Sequence, residues 1–160
     1  MSQNIKKAIQ LRKDKKYNES SELLKQLVDQ NPESAELNYQ FACSLDILGQ
    51  EKNAIEYYKK AIALGLDGDD LLRAFVGLGS SYRTIGEYEK SKEILSAGLN
   101  AFPRHHGLLT FYAIALYNLR EYKESTEILL SLLAETTSDQ SIKDYDEAIR
   151  FYAKNLDETC

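Results

Sequence analysis

Apolar residues recur at spacings of three and four along most of the chain, which is the pattern of amphipathic helices. Short polar or glycine-containing segments separate these stretches. The pattern predicts helices near residues 3–14 and 18–30, two helices in each of the segments 34–64, 69–101 and 105–134, and a last helix near 140–157. It therefore predicts an all-α fold of paired helices.

The helical pattern repeats, in steps of 34, 37 and 34 residues. Small residues align first, at Ala8, Ala42, Gly79 and Ala113. Three further columns follow 12, 16 and 19 residues downstream, and in chain order they are Ser20, Ala54, Ser91 and Ser125, then Leu24, Tyr58, Leu95 and Leu129, then Leu27, Ala61, Gly98 and Leu132. A fixed period of this length indicates a solenoid, because one helical hairpin cannot bury its apolar face without a neighbour.

Glycine and proline mark the expected helix ends. Gly49 and Gly86 lie where the first helix of a pair should stop, and glycine tolerates the left-handed conformation needed there. Pro32 and Pro103 follow the second helix of their pairs, which proline cannot continue. Ser34 is expected to cap the helix that follows it.

The third repeat resembles the tetratricopeptide repeat at nearly every position. The matching residues are Leu78, Gly79, Tyr82, Gly86, Tyr88, Ser91, Leu95, Gly98 and Pro103. The other repeats keep most of the pattern, with departures at the turn glycine or closing proline, which are Lys15, Leu66, Arg120 and Thr137. Four units in phase make the resemblance specific over about residues 1–138, and in size the chain is similar to small, free-standing bacterial members of the family.

The resemblance implies a right-handed superhelix of antiparallel helix pairs, an α-solenoid. One domain over residues 1–160 would hold units at about 1–34, 35–68, 72–105 and 106–138, and a capping helix at about 140–157. The stripe expected to cover the fourth unit consists of Ile142, Tyr145, Ile149, Tyr152 and Leu156.

The first unit has a weakly apolar outer face, as a terminal repeat should. Asn4 and Lys7 occupy positions that are apolar in later units. A basic cluster accompanies them, formed by Lys6, Lys7, Arg12, Lys13, Lys15 and Lys16. This cluster is either a solvated cap face or a docking patch for an acidic partner.

Composition narrows the functional class. The 160 residues have a net charge of -5 and a pI of about 5.1, which argues against a general nucleic-acid binder. Residues 1–10 lack the apolar region of a signal peptide, and the apolar stretch Leu108–Leu119 is too short to span a membrane. Cys43 and Cys160 form no metal-binding spacing and predict no disulfide framework, so a cytoplasmic protein is expected.

No motif in the chain predicts catalysis, a metal site or a cofactor. Asp67, Asp69 and Asp70 suggest a calcium loop, but Leu71 and Leu78 stand where that loop needs oxygen ligands. A longer turn is expected instead, with Asp69 or Asp70 as the cap of the next helix. We therefore expect no enzyme activity and no bound cofactor.

Two glycine- or histidine-containing segments have structural explanations. His105 and His106 lack accompanying ligands and are interpreted as a solvated loop. Gly77 and Gly79 lie inside a predicted amphipathic helix with no preceding strand, so close helix packing explains them better than a nucleotide loop.

The resemblance implies a concave groove, lined by the first helix of each pair, that binds a peptide or a helix of a partner. The positions it assigns to binding are Tyr39, Gln40, Asp46, Arg73, Ser80, Arg83, Phe111, Ile114, Tyr117 and Asn118, with Cys43, Ile47, Val76, Thr84 and Thr110 beside them. Tyrosine and arginine often dominate binding energy.

One groove type of the family is not expected here. Members that clamp a C-terminal carboxylate use lysine, asparagine and arginine at positions that correspond to Ile5, Ile9, Gln40, Arg73 and Gly77. Only Arg73 offers a suitable charge. The apolar Ile5 and Ile9 indicate that the groove accepts an apolar segment, or that something covers its N-terminal end.

The leading hypothesis is a non-catalytic interaction module whose partner is another protein or a peptide, with no nucleic acid and no membrane involved. One alternative is a small chaperone dedicated to a cargo protein, although the extra N-terminal helical region usual in secretion chaperones is almost missing. Another is a structural scaffold that associates with itself through an open end of the solenoid. The expected oligomeric state is a monomer or a weak homo-oligomer.

Overall fold

The computed structural model describes residues 3–159, which form helices joined by short turns. Four consecutive helix pairs are α1 Gln3–Lys13 with α2 Tyr17–Gln30, α3 Ala35–Ile47 with α4 Glu51–Ala63, α5 Gly68–Thr84 with α6 Tyr88–Ala101, and α7 His106–Asn118 with α8 Tyr122–Thr136. The short helices α9 Gln140–Lys143 and α10 Asp146–Lys154 follow. The periodic pattern predicted the bounds of the four pairs to within two residues, and the all-α solenoid is confirmed.

Each helix packs against the next along the chain, and the first helices of the pairs also pack against one another. The contacts of α1 with α3, α3 with α5 and α5 with α7 build one continuous inner layer. We call the side of the solenoid lined by α1, α3, α5 and α7 the concave face. The helices α2, α4, α6 and α8 form the outer, convex layer.

The aligned small residues lie where the two helices of a pair cross. Ala8, Ala42 and Ala113 are fully buried. A methyl group added to Gly79 would lie 2.5 Å from Cγ of Leu95, a side chain that is itself almost fully buried. Close packing therefore explains Gly79, as the sequence predicted.

A serine hydroxyl joins the two helices in three of the four pairs. Ser20, Ser91 and Ser125 each donate a 2.7 Å hydrogen bond to the carbonyl oxygen twelve residues earlier, on the aligned small residue. The second pair has Ala54 in this column. The repeated column of small polar residues thus satisfies a buried backbone carbonyl in addition to permitting close approach.

The turns follow one geometry whether or not glycine is present. Gly49 and Gly86 have φ values of +70° and +84°, as predicted. Lys15 and Arg120, which replace the turn glycine in the first and fourth units, take the same left-handed conformation with φ of 62° and 64°. These two residues pay a steric cost there that glycine avoids.

Ser34 caps α3 as expected, since its hydroxyl accepts a 3.3 Å hydrogen bond from the Leu37 amide. The prediction that Asp69 or Asp70 caps α5 is wrong. The helix starts at Gly68, and the Leu71 amide already bonds to the Asp67 carbonyl at 3.1 Å. Both carboxylates therefore lie inside the first turn, where the helix dipole favours them.

The C-terminal segment corrects the prediction of one continuous helix over 140–157. It turns at Asp144 and Tyr145, between α9 and α10, and α10 packs against α8. Because of this turn the second segment buries Ala153 and half-buries Ile149. Tyr145 and Tyr152, both expected in the buried stripe, are 66% and 58% exposed. Leu156 also lies at the surface, at 37% exposure.

Candidate functional site: the concave face

The sequence-predicted binding residues all lie on α3, α5 and α7, but they differ in accessibility. Arg73 and Tyr117 are exposed, whereas Tyr39 and Gln40 are each only 5% exposed and offer a ligand almost no surface. The remaining members of the set are half-buried, and they are Asp46, Ser80, Arg83, Phe111, Ile114 and Asn118.

Several of these side chains bond to the neighbouring repeat unit. The guanidinium of Arg83 donates a 2.8 Å hydrogen bond to Oδ1 of Asn118 in the fourth unit. Gln40 accepts a 2.7 Å bond from the guanidinium of Arg12 in the first unit. Such bonds hold successive units in register, so these groups are partly committed to the fold.

One repeat position provides these links. Arg12, Asp46 and Arg83 each follow the aligned small residue by four positions, and each bonds to the next unit. In the fourth unit this position is Tyr117, which is 62% exposed and packs edge-on against Tyr122. Sequence reasoning missed Arg12 and Ser81 as partners, although the shared repeat position of Arg12, Asp46 and Arg83 was visible in the alignment.

Asp46 is the most connected polar group of the concave face. Its carboxylate accepts 2.7 Å and 2.8 Å hydrogen bonds from the hydroxyls of Ser81 and Tyr58. Burial raises the pKa of Asp46 above its usual value, and the two hydroxyl donors oppose that shift. The carboxylate therefore ties α3 to α4 and α5.

The buried groups around Asp46 resist ionisation. Burial raises the pKa of Tyr39 and the pKa of Tyr58, and it raises the pKa of the Cys43 thiol. The Cys43 sulfur lies 3.6 Å from the Tyr58 hydroxyl. A thiol with a raised pKa is a weak nucleophile, so this cluster is suited to packing and hydrogen bonding.

A cleft of about 260 Å³ opens on the concave face beside Asp46, between α3 and α5. Its lining residues are Asp46, Ile47, Glu51, Ser80, Ser81 and Thr84. Ile47 is 48% exposed at its edge, and Arg73 on α5 and Tyr117 on α7 are exposed on the same layer of helices. The concave face thus offers apolar, aromatic and cationic groups.

A second groove lies on the convex side, between α2 and α4. Phe41 and Leu45 of α3 form its floor, and Lys25, Gln50 and Tyr57 contribute to its walls. Its volume is about 420 Å³. The sequence pattern predicted the floor as core and gave no signal for an open groove, because the width between two outer helices depends on how the units stack.

The histidines have structural roles at the start of α7. Nδ1 of His105 accepts a 3.3 Å hydrogen bond from the Leu108 amide and so caps the helix, and His106 is the first helical residue. The interpretation of this pair as a plain solvated loop was therefore wrong, although both side chains are exposed. Within residues 3–159, no three His, Cys, Asp or Glu side chains gather as metal ligands would.

None of the helices in the described range is both long enough and apolar enough to cross a membrane.

Comparison with known proteins agrees with this architecture. A family model described as Tetratrico peptide repeat matches residues 35–156. The fold is similar to that of MamA from Desulfovibrio magneticus RS-1, with a TM-score of 0.74 and 14% identity over 99% of each chain. It is also similar to YrrB, a TPR protein with an unusual peptide-binding site, with a TM-score of 0.72 and 14% identity over 97% of this chain and 78% of that one.

A sequence relative is Superkiller protein 3 of Saccharomyces cerevisiae (strain ATCC 204508 / S288c). It is 31% identical over 94 residues, which make up 59% of this chain. The chain matches only 6% of that protein's length. Since the family model covers more than half of the sequence, the chain belongs to the tetratricopeptide repeat family.

Proposed function

We propose that this protein is a non-catalytic interaction module that binds a partner's helix or extended peptide on its concave face. The observation that carries the proposal is the exposure of Ile47, Arg73 and Tyr117 on the inner layer of helices. Exposed apolar and aromatic groups beside a cation are typical of binding surfaces, because they gain most from being covered.

The proposed ligand combines apolar residues with at least one carboxylate. Ile47 and the adjacent cleft would receive an apolar side chain, and Tyr117 would pack against another. Arg73 is exposed, so its guanidinium is available for a carboxylate of the ligand. Arg83 and Asn118 are bonded to each other and would support the surface from below.

The setting proposed for this activity is the cytoplasm. A chaperone that holds one cargo segment would use the same surface, and it differs from a scaffold in releasing its cargo. The convex groove over Phe41 and Leu45 is the competing surface, favoured by its larger volume of about 420 Å³.

Selection from an unbiased peptide library, followed by affinity measurements, tests the proposal. We expect the selected sequences to combine apolar residues with Asp or Glu. The double variant Ile47→Ser/Arg73→Glu should weaken their binding by about tenfold or more, since it removes an apolar contact and reverses a charge. The control Tyr17→Ser/Arg104→Glu makes matched changes at exposed positions away from the inner layer and should bind normally.

Binding that is unchanged in the Ile47→Ser/Arg73→Glu variant would move the site away from the concave face. Loss of binding on Tyr57→Ala would then assign it to the convex groove.

A further inference from the structure

The two ends of the helical stack differ sharply in charge. Residues 3–16 contain six basic residues and one acidic residue. Residues 135–159 contain seven acidic residues and three basic residues. Within a chain of net charge -5, this separation places a cationic surface on the first helix pair and an anionic surface on the C-terminal helices.

The exposed apolar surface is also concentrated at one end. Among the described residues, ten large hydrophobic side chains are exposed, and eight of them lie between residues 117 and 156. The aromatic members of this C-terminal group are Tyr117, Tyr122, Tyr145, Phe151 and Tyr152. They form two edge-on pairs, Tyr117 with Tyr122 and Phe151 with Tyr152.

The fourth unit is covered differently from the units before it. Each of α3, α5 and α7 packs against both helices of the preceding pair. In the described chain, α10 packs against α8 and has no comparable contact with α7. Tyr117 is therefore exposed at the position through which Arg12, Asp46 and Arg83 bond to a following unit.

The basic end has the complementary property. Lys6 and Lys7 lie 34 residues before Gln40 and Phe41, which are buried where the second unit meets the first. At those positions in the first unit both lysines are exposed. They are thus placed where a contact with a preceding helix would form.

We propose that the basic end of one copy of this chain binds the acidic, aromatic end of another copy. Lysine side chains would lie over the tyrosine and phenylalanine rings and beside the carboxylates, which combines cation–π attraction with charge complementarity. Because the two contacting surfaces are different, the association does not close at two copies and continues as an open head-to-tail series.

Paired charge reversals test this proposal by sedimentation or light scattering over a range of concentrations. The wild type should show a mass that rises with concentration without a plateau at two copies, and high salt should reduce it. Lys6→Glu/Lys7→Glu makes both ends acidic, and Glu147→Lys/Glu158→Lys makes both ends basic. Each variant alone should associate at least about tenfold more weakly, because like charges then face each other.

An equimolar mixture of the two variants should assemble again, since each molecule then meets an end of opposite charge. The control Lys52→Glu/Lys59→Glu makes an equal charge change on exposed positions of α4 and should assemble like the wild type. A wild type that stays monomeric up to millimolar concentration, a plateau at two copies, or a mixture that does not recover would each overturn the proposal. The concave variant Ile47→Ser/Arg73→Glu should assemble normally, which separates this result from the proposed peptide binding.

Discussion

The hydroxyl of Ser81 donates a 2.7 Å hydrogen bond to Oδ1 of Asp46, and this bond joins α5 to α3 across the concave face. Asp46 also accepts the Tyr58 hydroxyl at 2.8 Å, so one carboxylate connects three helices of two successive units. The bond is one of three polar links that fix the spacing between units, and hence the shape of the surface to which a ligand would bind.

Replacing Asp46 separates its hydrogen bonds from its charge. Asp46→Ala should lower the free energy of unfolding by about 1–3 kcal/mol, because the buried Tyr58 hydroxyl loses its acceptor. Asp46→Asn keeps an acceptor for Ser81 and should cost less. Urea denaturation of both variants measures the difference, and equal losses would contradict the assigned hydrogen bonds.

The raised pKa of Asp46 gives a pH dependence of defined sign. The folded state holds the proton more tightly than the unfolded chain, so Asp46 contributes stability as pH falls through its raised folded pKa towards the usual value of 3.8. That contribution is absent at neutral pH. Glu135 and Asp139 have lowered pKa values and act in the opposite direction.

Comparison with Asp46→Asn isolates this contribution, since the other carboxylates are common to both proteins. The unfolding free energy of the wild type should rise relative to that of the variant between about pH 6 and pH 4. A constant difference over that range would show that the pKa of Asp46 is not raised.

The serine column predicts matched losses and gains. Ser91→Ala removes the 2.7 Å bond to the Gly79 carbonyl and should destabilise the fold by about 0.5–1.5 kcal/mol. Ala54→Ser introduces the same group in the one pair that lacks it and should be neutral or stabilising by up to about 1 kcal/mol. Ser96→Ala on the same helix as Ser91 serves as the control.

Thermal denaturation of these three variants provides the measurement. A loss in Ser96→Ala as large as that in Ser91→Ala would argue against a specific role of the hydrogen bond.

The left-handed residues at the turns predict stabilising substitutions. Lys15→Gly and Arg120→Gly should each raise the free energy of unfolding by about 0.5–1 kcal/mol, because glycine relieves the steric cost of positive φ. Lys59→Gly, an equivalent change inside α4, should instead cost about 1 kcal/mol. If all three changes are destabilising, the strain at Lys15 and Arg120 is smaller than its φ values imply.

The features predicted correctly from the sequence depend on residues close together in the chain or on its period. Helix bounds, the Ser34 cap and the conformations of Gly49 and Gly86 are of this kind. The bond between Arg12 and Gln40 joins residues 28 positions apart, and its formation depends on how two units stack. The turn before α10 likewise reflects packing on α8, so a continuous apolar stripe suggested a longer helix than the chain forms.

The binding residues show the same division. Repeat register placed Arg73 and Tyr117 on the correct helices with exposed side chains. Register alone did not reveal that Tyr39 and Gln40 are buried, because burial at the inner layer depends on the side chains of adjacent units.

The central claim is that a partner segment binds across the concave face. The most direct test is the footprint of a selected peptide on the full chain, measured by changes in amide NMR signals. We predict that the largest changes lie at Ile47, Ser80 and Tyr117 and that the signals of Gln50 and Tyr57 in the convex groove change little. Changes confined to Gln50, Tyr57 and their neighbours would contradict the claim.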